Sequence, residues 1–382
     1  MPTTSPTAAG RAGREIRALT GARGIPVLLI ALFHYHEWFG YPGAGWYDTI
    51  VSKGYIWVEF FFALSGFVLF YAYGYRFGSR LTSGAVSGFL AARISRLYPL
   101  QLATLLAVVI LEIDRRIDGS RKLGVSFFEV PAFIGRTLGT FVGNLFMVQS
   151  WGLYDSLSWN APAWFVSVEF FLCLVCPFLL WLVGARPGWR SMALGALSVG
   201  SLVTLVSASG RGLDMTAGWG MGRGLADFGI GLTLAALFGA ARSRDGTGMA
   251  RTTVAHTAAQ VAALIAIMAA LALSGPARTR GDLLVAAPIF SLVLLLAFDR
   301  GAIARALHAR WLMKLGEWSF GIYMVHYFAM HALAILYQPQ TPWAGPLVGL
   351  TGSVLFGALA HRFLEQPVGA VLRKKLTTAP GQ

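Results

Sequence analysis

The feature that most constrains this chain is a series of long apolar runs separated by short polar segments. The first is GIPVLLIALFHYH at 24–36. A helix needs about 20 apolar residues to cross the hydrocarbon core of a bilayer. Runs near this length lie at 24–39, 56–75, 97–111, 162–183, 191–207, 224–240, 254–273, 283–298, 318–337 and 346–364. They predict an all-α integral membrane protein, a polytopic bundle of about ten transmembrane helices.

Composition agrees with this class. Of 382 residues, 56% are hydrophobic and only 13% are charged, whereas about a quarter of the residues of a soluble domain are charged. The net charge of +14 comes from short basic clusters between the apolar runs. That distribution is typical of cytoplasmic loops rather than of a nucleic-acid surface, so no nucleic-acid partner is expected.

The basic residues also predict the orientation. With ten spans and a cytoplasmic N-terminus, most lysines and arginines lie inside, and the C-terminus is cytoplasmic too. The segment 131–148 contains Arg136 and Asn144, and a crossing there would reverse every later loop. We therefore predict that it is re-entrant or interfacial.

The predicted organisation is a mobile basic N-tail at 1–18, a single transmembrane domain at 19–370 and a basic C-tail at 371–382. No continuous apolar stretch precedes residue 24. The first span is therefore expected to remain as an anchor in the plasma (inner) membrane, with no cleaved signal peptide. Cys173 and Cys176 lie within an apolar run and are expected to pack as small hydrophobic residues rather than to form a redox or zinc site.

Arg23 and His34 are aligned on the first span. Eleven residues at ~100° each come to about 20° more than three full turns, with a rise of roughly 16 Å, so both side chains point the same way. A histidine can take a hydroxyl proton near neutral pH, as acyl transfer requires; the alternative is a histidine that only bonds a neighbouring helix. Glu37, three residues further on, is close enough to orient the ring. His34 and His36 would not converge on one metal, so no metal site is predicted.

Ionisable groups inside a membrane are costly, which makes each one a functional candidate. Arg93 and Arg96 share a helix face and can bind phosphates, although they could equally be membrane anchors. Glu169 needs a partner inside the membrane, and an arginine or a histidine of another span would serve. His326 is a second histidine about mid-membrane. Glu365 is placed at the depth of Arg23, which predicts a salt bridge between them.

Ser65 lies next to Gly66 in the middle of FFFALSGFVLF, residues 60–70. Small residues at such a position allow two helices to approach closely. Close helix packing alone would explain both Ser65 and Gly66. The alternative is that the Ser65 hydroxyl takes part in the chemistry.

Taken in order, these clusters resemble the acyltransferase-3 family of bacterial membrane-bound O-acyltransferases. The matching segments cover nearly the whole chain, and they are LTGARGIPVLLIALFH (19–34), VEFFFALSGFVL (58–69), RISRLYP (93–99), PAWFVSVEFF (162–171), SFGIYMVH (319–326) and RFLEQP (362–367). One departure is Thr20, where many members have aspartate. The role of that carboxylate is therefore absent or moved in this chain.

The resemblance implies an acyl-CoA-dependent enzyme that transfers an acyl group, most simply acetyl, from cytoplasmic acetyl-CoA to a hydroxyl. His34 would be the catalytic base. The other catalytic candidates are Glu37, Ser65, Glu169 and His326, and the candidates for the donor site are Arg23, Arg93, Arg96, Tyr98 and Glu365. No hydrolase-like second domain is expected to take part.

Several alternatives stay open at this point. The first choice of acceptor is a saccharide such as exopolysaccharide or O-antigen, in lipid-linked or polymeric form, and the second is a macrolide or another small metabolite. Transfer could be direct or could pass through an acyl-Ser65 or acyl-histidine intermediate. A transporter or flippase in contact with membrane lipids is the alternative from a different class.

Overall fold

A computed structural model of the chain describes residues 15–123, 135–184, 187–244, 249–336 and 343–378. Within these ranges the protein is a bundle of α-helices without strands. The helices are α1 Arg17–Ala22, α2 Gly24–Phe39, α3 Trp46–Val51, α4 Val58–Ser79, α5 Ser83–Leu123, α6 Leu138–Leu145, α7 Ala163–Val183, α8 Trp189–Ser209, α9 Gly220–Arg244, α10 Met249–Leu273, α11 Asp282–Ala297, α12 Ala302–Ala306, α13 Arg310–Leu336, α14 Ala344–Ala360 and α15 Gln366–Thr378. A 3-10 turn at Gly54–Trp57 leads into α4, and a π-turn at His361–Glu365 joins α14 to α15.

Eight helical stretches of the described chain are long and apolar enough to cross a membrane, and α11 is a shorter apolar helix. The eight stretches are Arg17–Phe39, Trp46–Ser79, Ser83–Lys122, Ala163–Val183, Trp189–Ser209, Gly220–Ser243, Thr253–Leu273 and Ala344–Thr377. Each of the ten predicted spans overlaps a helix. The polytopic all-α class is thus confirmed, while the count of ten and the positions of the termini stay predictions.

The segment predicted not to cross the membrane contains α6, which has 8 residues. A helix of that length rises about 12 Å, less than half of the hydrocarbon core. Thr137 caps its start by accepting a hydrogen bond from the backbone N–H of Thr140. The part of the segment at 135–148 therefore does not span, as expected, and residues 131–134 lie outside the described ranges.

Helices α4 and α9 pack closely because each offers a glycine to the other. A methyl group added at Gly66 would lie 2.2 Å from the carbonyl oxygen of Phe228, and one at Gly231 would lie 2.0 Å from that of Ala63. Only hydrogen atoms fit at such distances. The close approach predicted from Gly66 is what the structure shows.

Tyr35 holds α2 against α13 and α14. Its buried hydroxyl lies 2.9 Å from the carbonyl oxygen of Gly349, 2.8 Å from Oγ of Ser353 and 3.1 Å from the carbonyl oxygen of His326. These contacts fix the rotation of α2 about its axis. They therefore set the direction in which His34, the preceding residue, points.

Candidate functional site

A cavity of about 260 Å³ lies beside the junction of α1 and α2. Its walls carry Arg23 from that junction, Arg93 and Arg96 from α5, Ser65 from α4 and Glu169 from α7. We refer to it as the arginine cavity. Five side chains that the sequence singled out in four separate segments therefore meet in one place.

The three arginines of this cavity form no ion pair within the described part of the chain. None of the three guanidinium groups of Arg23, Arg93 and Arg96 has a hydrogen-bond acceptor within the described part of the chain, and Nε of Arg23 and of Arg93 are buried without a partner. Arg96 is exposed and the other two arginines are half-buried. Buried donors without acceptors are costly, and arginine forks suit phosphate oxygens. The cavity therefore has the chemistry of a site for a phosphorylated anion.

Glu169 binds a hydroxyl rather than a cation. Ser65 Oγ donates to Glu169 Oε1 at 2.5 Å, and Oε2 is buried without a partner. The expectation that an arginine or a histidine would pair with Glu169 is therefore wrong. Ser65 lies directly against the carboxylate, whereas the arginines of the cavity stop short of ion-pair distance. A hydroxyl beside a carboxylate is also the arrangement of a nucleophile and a base.

Two of the predicted donor-site residues do not line the arginine cavity. Tyr98 packs half-buried against the hydrophobic core, and its neighbour Leu97 reaches the cavity instead. Oε2 of Glu365 accepts a hydrogen bond from Nδ1 of His361 at 2.9 Å, one turn away in the π-turn. The predicted salt bridge between Glu365 and Arg23 is therefore wrong, because a local partner holds the carboxylate.

The wall next to Arg23 nevertheless carries a carboxylate. Thr20 Oγ1 donates to Glu15 Oε1 at 2.7 Å, and both residues line the arginine cavity. Thr20 stands where the resemblance led us to expect aspartate. Glu15 thus brings an acidic group to the same wall from five residues earlier in the chain.

His34 lies in a second, smaller cavity of about 50 Å³, which we call the histidine chamber. Its ring stacks on that of His326 with 5.2 Å between the centroids, and the ring of Tyr327 meets it edge-on at 5.5 Å. His326 is buried, with Nδ1 at the carbonyl oxygen of Tyr323 and Nε2 without a partner. No hydrogen bond of the His34 ring occurs among the described residues. Two imidazoles with unused nitrogens therefore lie side by side.

Glu37 does not orient His34. Its Oε2 accepts from Nη2 of Arg278 at 2.9 Å and its Oε1 accepts from the hydroxyl of Tyr41 at 3.1 Å. Arg278 also donates through Nε to Asp214 Oδ2 at 2.7 Å. An arginine is a stronger partner for a carboxylate than a neutral imidazole ring is, so the Glu37 side chain points to Arg278 in the 274–281 loop. The prediction that Glu37 orients the His34 ring is therefore wrong.

A layer of aromatic rings separates the two cavities. Phe61 and Phe165 line the arginine cavity, and Tyr323 lines the histidine chamber. The rings of Phe165 and Tyr323 are 5.3 Å apart, and those of Phe61 and Phe165 are 6.3 Å apart. Helices α4, α7 and α13 each contribute residues to both cavities, and we refer to the two cavities together as the column.

The most buried ion pair of the described chain, between Arg223 and Glu59, was not predicted from the sequence. Nε and Nη2 of Arg223 donate to the two carboxylate oxygens of Glu59 at 2.7 and 2.6 Å, and both side chains are essentially inaccessible. Asp227, one turn after Arg223, is buried with neither carboxylate oxygen bonded. Arg223 also lines the histidine chamber. The sequence did contain a signal for buried charge here, because Asp227 lies within the apolar run at 224–240 and Arg223 lies four residues before it.

Comparison with known proteins gives two kinds of match. The family model described as "Acyltransferase domain" matches residues 16–362. The acyltransferase MdmB of Streptomyces mycarofaciens is 27% identical over 364 residues, which are 87% of this chain and 85% of that protein. Protein 2 in the picA locus of Rhizobium radiobacter is 32% identical over 213 residues, 50% of this chain and 93% of that protein. No solved structure matches.

Proposed function

The chain belongs to the acyltransferase family described by that domain model, and from this premise we propose that it transfers an acyl group from acyl-CoA to a hydroxyl. Acetyl is the first choice of acyl group, and a saccharide such as exopolysaccharide or O-antigen is the first choice of acceptor. Both choices rest on the sequence resemblance. The proposed site for the chemistry is the column formed by the arginine cavity and the histidine chamber.

The observation that carries the proposal is the set of unpaired guanidinium groups in the arginine cavity. CoA carries phosphates at one end and a thioester at the other. Arg23, Arg93 and Arg96 would hold the phosphates, and the thioester arm would pass inward between the rings of the aromatic layer to reach His34. The pocket needs no metal for this task, because the cations are supplied by side chains.

His34 is proposed as the general base. It removes the proton from the acceptor hydroxyl as the oxygen attacks the thioester carbonyl carbon. The tetrahedral adduct then collapses, the carbon–sulfur bond breaks, and the CoA sulfur takes the proton from the imidazolium of His34. His326 stacks on His34 with a free Nε2, which supports a role in sharing or relaying that proton. The products are an ester and CoA thiol, so atoms and charge balance.

The test is acceptor-dependent release of CoA thiol by the purified protein supplied with acetyl-CoA. His34→Ala should lower the rate by about 10²- to 10⁴-fold, the usual contribution of a positioned general base. His256→Ala is a matched control, since His256 lines neither cavity. Unchanged turnover in the His34 variant would show that His34 is not the general base. Movement of a glycan across vesicles without any thiol release would point instead to transport.

A further inference from the structure

The histidine chamber contains a buried tyrosine hydroxyl without a partner. Tyr323 of α13 lines the chamber and is only 7% exposed. Its hydroxyl makes no hydrogen bond within the described residues, whereas a buried tyrosine hydroxyl usually has a partner. A buried donor that is left unbonded costs free energy. The hydroxyl is therefore free to donate to an atom of a bound molecule.

The Tyr323 hydroxyl lies on the chamber side of the aromatic layer. Arg223 and the hydroxyl of Tyr327 are close enough to act on it electrostatically, and both of these residues line the chamber. The Tyr323 ring is 5.3 Å from the Phe165 ring within the layer and 5.6 Å from the His326 ring. Tyr323 thus stands where the aromatic layer meets the histidine chamber.

The chamber is small enough for one bound group to touch several of its walls. Its volume of about 50 Å³ has room for roughly four water-sized groups. The carbonyl carbon, the oxygen and the methyl group of an acetyl thioester, together with the attacking oxygen, make up that number. His34 and Tyr323 both line this space. A carbonyl group that reaches His34 therefore also comes within reach of Tyr323.

Other polar groups in and beside the chamber are less suited to donate. Nδ1 of His326 lies 2.5 Å from the carbonyl oxygen of Tyr323, so Nδ1 carries the proton and Nε2 is an acceptor. The Tyr55 hydroxyl already donates to Asp282 at 2.8 Å. Thr216 belongs to the loop before α9 rather than to the aromatic layer. Tyr323 thus offers an unused donor at the point where the thioester would enter.

Arg223 places a second donor on the wall of the chamber. Its Nε and Nη2 bind Glu59, and Nη2 also donates to the carbonyl oxygen of Tyr55 at 3.0 Å. Nη1 carries two N–H groups but donates once, to the carbonyl oxygen of Met215 at 3.3 Å. Arg223 is thus held firmly with one N–H to spare. Two fixed donors at one small site are what an oxyanion hole requires.

We propose that Tyr323 is a catalytic residue whose hydroxyl donates a hydrogen bond to the thioester carbonyl oxygen, with Nη1 of Arg223 as the second donor. This inference rests on the proposed function and adds a residue that acts in the chemical step. As the acceptor oxygen attacks the carbonyl carbon, the π electrons of the C=O bond move to the carbonyl oxygen. Tyr323 stabilises that negative oxygen and keeps its own proton. When the carbon–sulfur bond breaks, the C=O bond forms again and the CoA sulfur takes the proton held by His34.

The test compares Tyr323→Phe with the wild type. This change removes the hydroxyl and keeps the ring, so the aromatic layer stays closed. Tyr73→Phe on α4 is the matched control, because Tyr73 lines neither cavity. The assay measures release of CoA thiol from acetyl-CoA, first with the methyl glycosides of glucose, galactose, mannose and rhamnose together as acceptors, and then with water alone. Thermal unfolding in detergent shows whether each variant keeps its fold.

Tyr323→Phe should lower kcat about 10²- to 10³-fold, the usual cost of removing one donor from an oxyanion hole. The KM for acetyl-CoA should stay nearly constant, because the hydrogen bond forms fully only in the transition state. Tyr73→Phe should behave like the wild type. A kcat of Tyr323→Phe close to that of the wild type, or a loss that lies only in the KM for acetyl-CoA, would overturn the assignment.

A second measurement needs no acceptor. The trifluoroacetonyl thioether of CoA forms a ketone hydrate, and its oxygens resemble those of the tetrahedral adduct. The wild type should bind this compound about tenfold more tightly than Tyr323→Phe does, while both proteins bind CoA equally. Equal binding of the compound would also overturn the role of Tyr323. An absence of thiol release by the wild type, with glycosides and with water alike, would instead reject the proposed function and this inference with it.

Discussion

At the level of single side chains, Ser65 has the geometry of a nucleophile beside a base, yet it lies in the arginine cavity rather than beside His34. Direct transfer at His34 predicts that Ser65→Ala keeps turnover within about tenfold of the wild type, since a single hydrogen bond to Glu169 is lost. A covalent route through Ser65 predicts complete loss. Mass spectrometry of the protein after incubation with acetyl-CoA, without acceptor, checks whether an acetylated Ser65 forms.

Arg93 should contribute to donor binding rather than to the chemical step. Arg93→Gln removes one guanidinium group from the arginine cavity. We expect it to raise the KM for acetyl-CoA about tenfold while kcat stays nearly constant. Arg80→Gln is the control, because Arg80 is exposed and lies outside the cavity. Parallel measurements of KM for acetyl-CoA and for the acceptor check it. A fall in kcat alone would contradict a role in binding.

Most of the residues singled out from the sequence do line one of the two cavities. Their contact partners could not be predicted from the sequence. Glu169 and His326 stood out because ionisable groups are rare in apolar runs. Their partners depend on which side chains three-dimensional packing brings within 3 Å. Glu169 therefore binds Ser65, and Glu37 binds Arg278, against the sequence expectation.

At the level of helices, the contact between α4 and α9 depends on Gly66. Gly66→Ala would place a methyl group 2.2 Å from the Phe228 carbonyl oxygen, so the helices must separate, at a cost of about 1 to 3 kcal/mol. Gly200→Ala on α8 is the matched control, since nothing lies within 4 Å of its added methyl group. It should stabilise the helix by about 0.5 to 1 kcal/mol. Thermal unfolding in detergent checks both, and equal shifts would contradict the packing argument.

Helix positions followed from the apolar runs, but helix ends did not. The run at 97–111 indicated a span, whereas α5 extends over Ser83–Leu123 with Pro99 inside it. Its N-terminal end is rich in glycine, serine and alanine and its C-terminal end in charged residues, so hydropathy reveals neither end, although Arg, Lys and Glu form helices readily. The small helices α3 and α12 were not predicted either, because five or six residues carry too little periodic pattern.

At the level of the whole molecule, the predicted orientation places the 274–281 loop outside and the basic C-terminal segment inside. The native cysteines are buried, so a cysteine introduced on the surface would be the one that reacts. Arg211→Cys should react with a membrane-impermeant maleimide added to intact cells, and Lys375→Cys should react only after lysis. Both positions are exposed. Labelling of Lys375→Cys in intact cells would reverse the orientation.

The meeting of distant segments could not be deduced from one sequence. Glu37 and Arg278 are 241 residues apart, and Glu59 and Arg223 are 164 residues apart. Their pairing depends on the order in which the helices pack around α2 and α4, and hydropathy does not specify that order. The family resemblance supplied the list of residues, while the division into an arginine cavity and a histidine chamber came only with the structure.

The aromatic layer of Phe61, Phe165 and Tyr323 also bears on the permeability of the membrane. In the predicted orientation, a column lined by polar groups and approached from both faces would conduct protons or small ions if water filled it throughout. Closely packed aromatic rings exclude water and keep a region of low dielectric in its path, where a bare ion is very costly. The layer would thus let the protein bring a donor and an acceptor together across the bilayer without discharging the ion gradients of the cell.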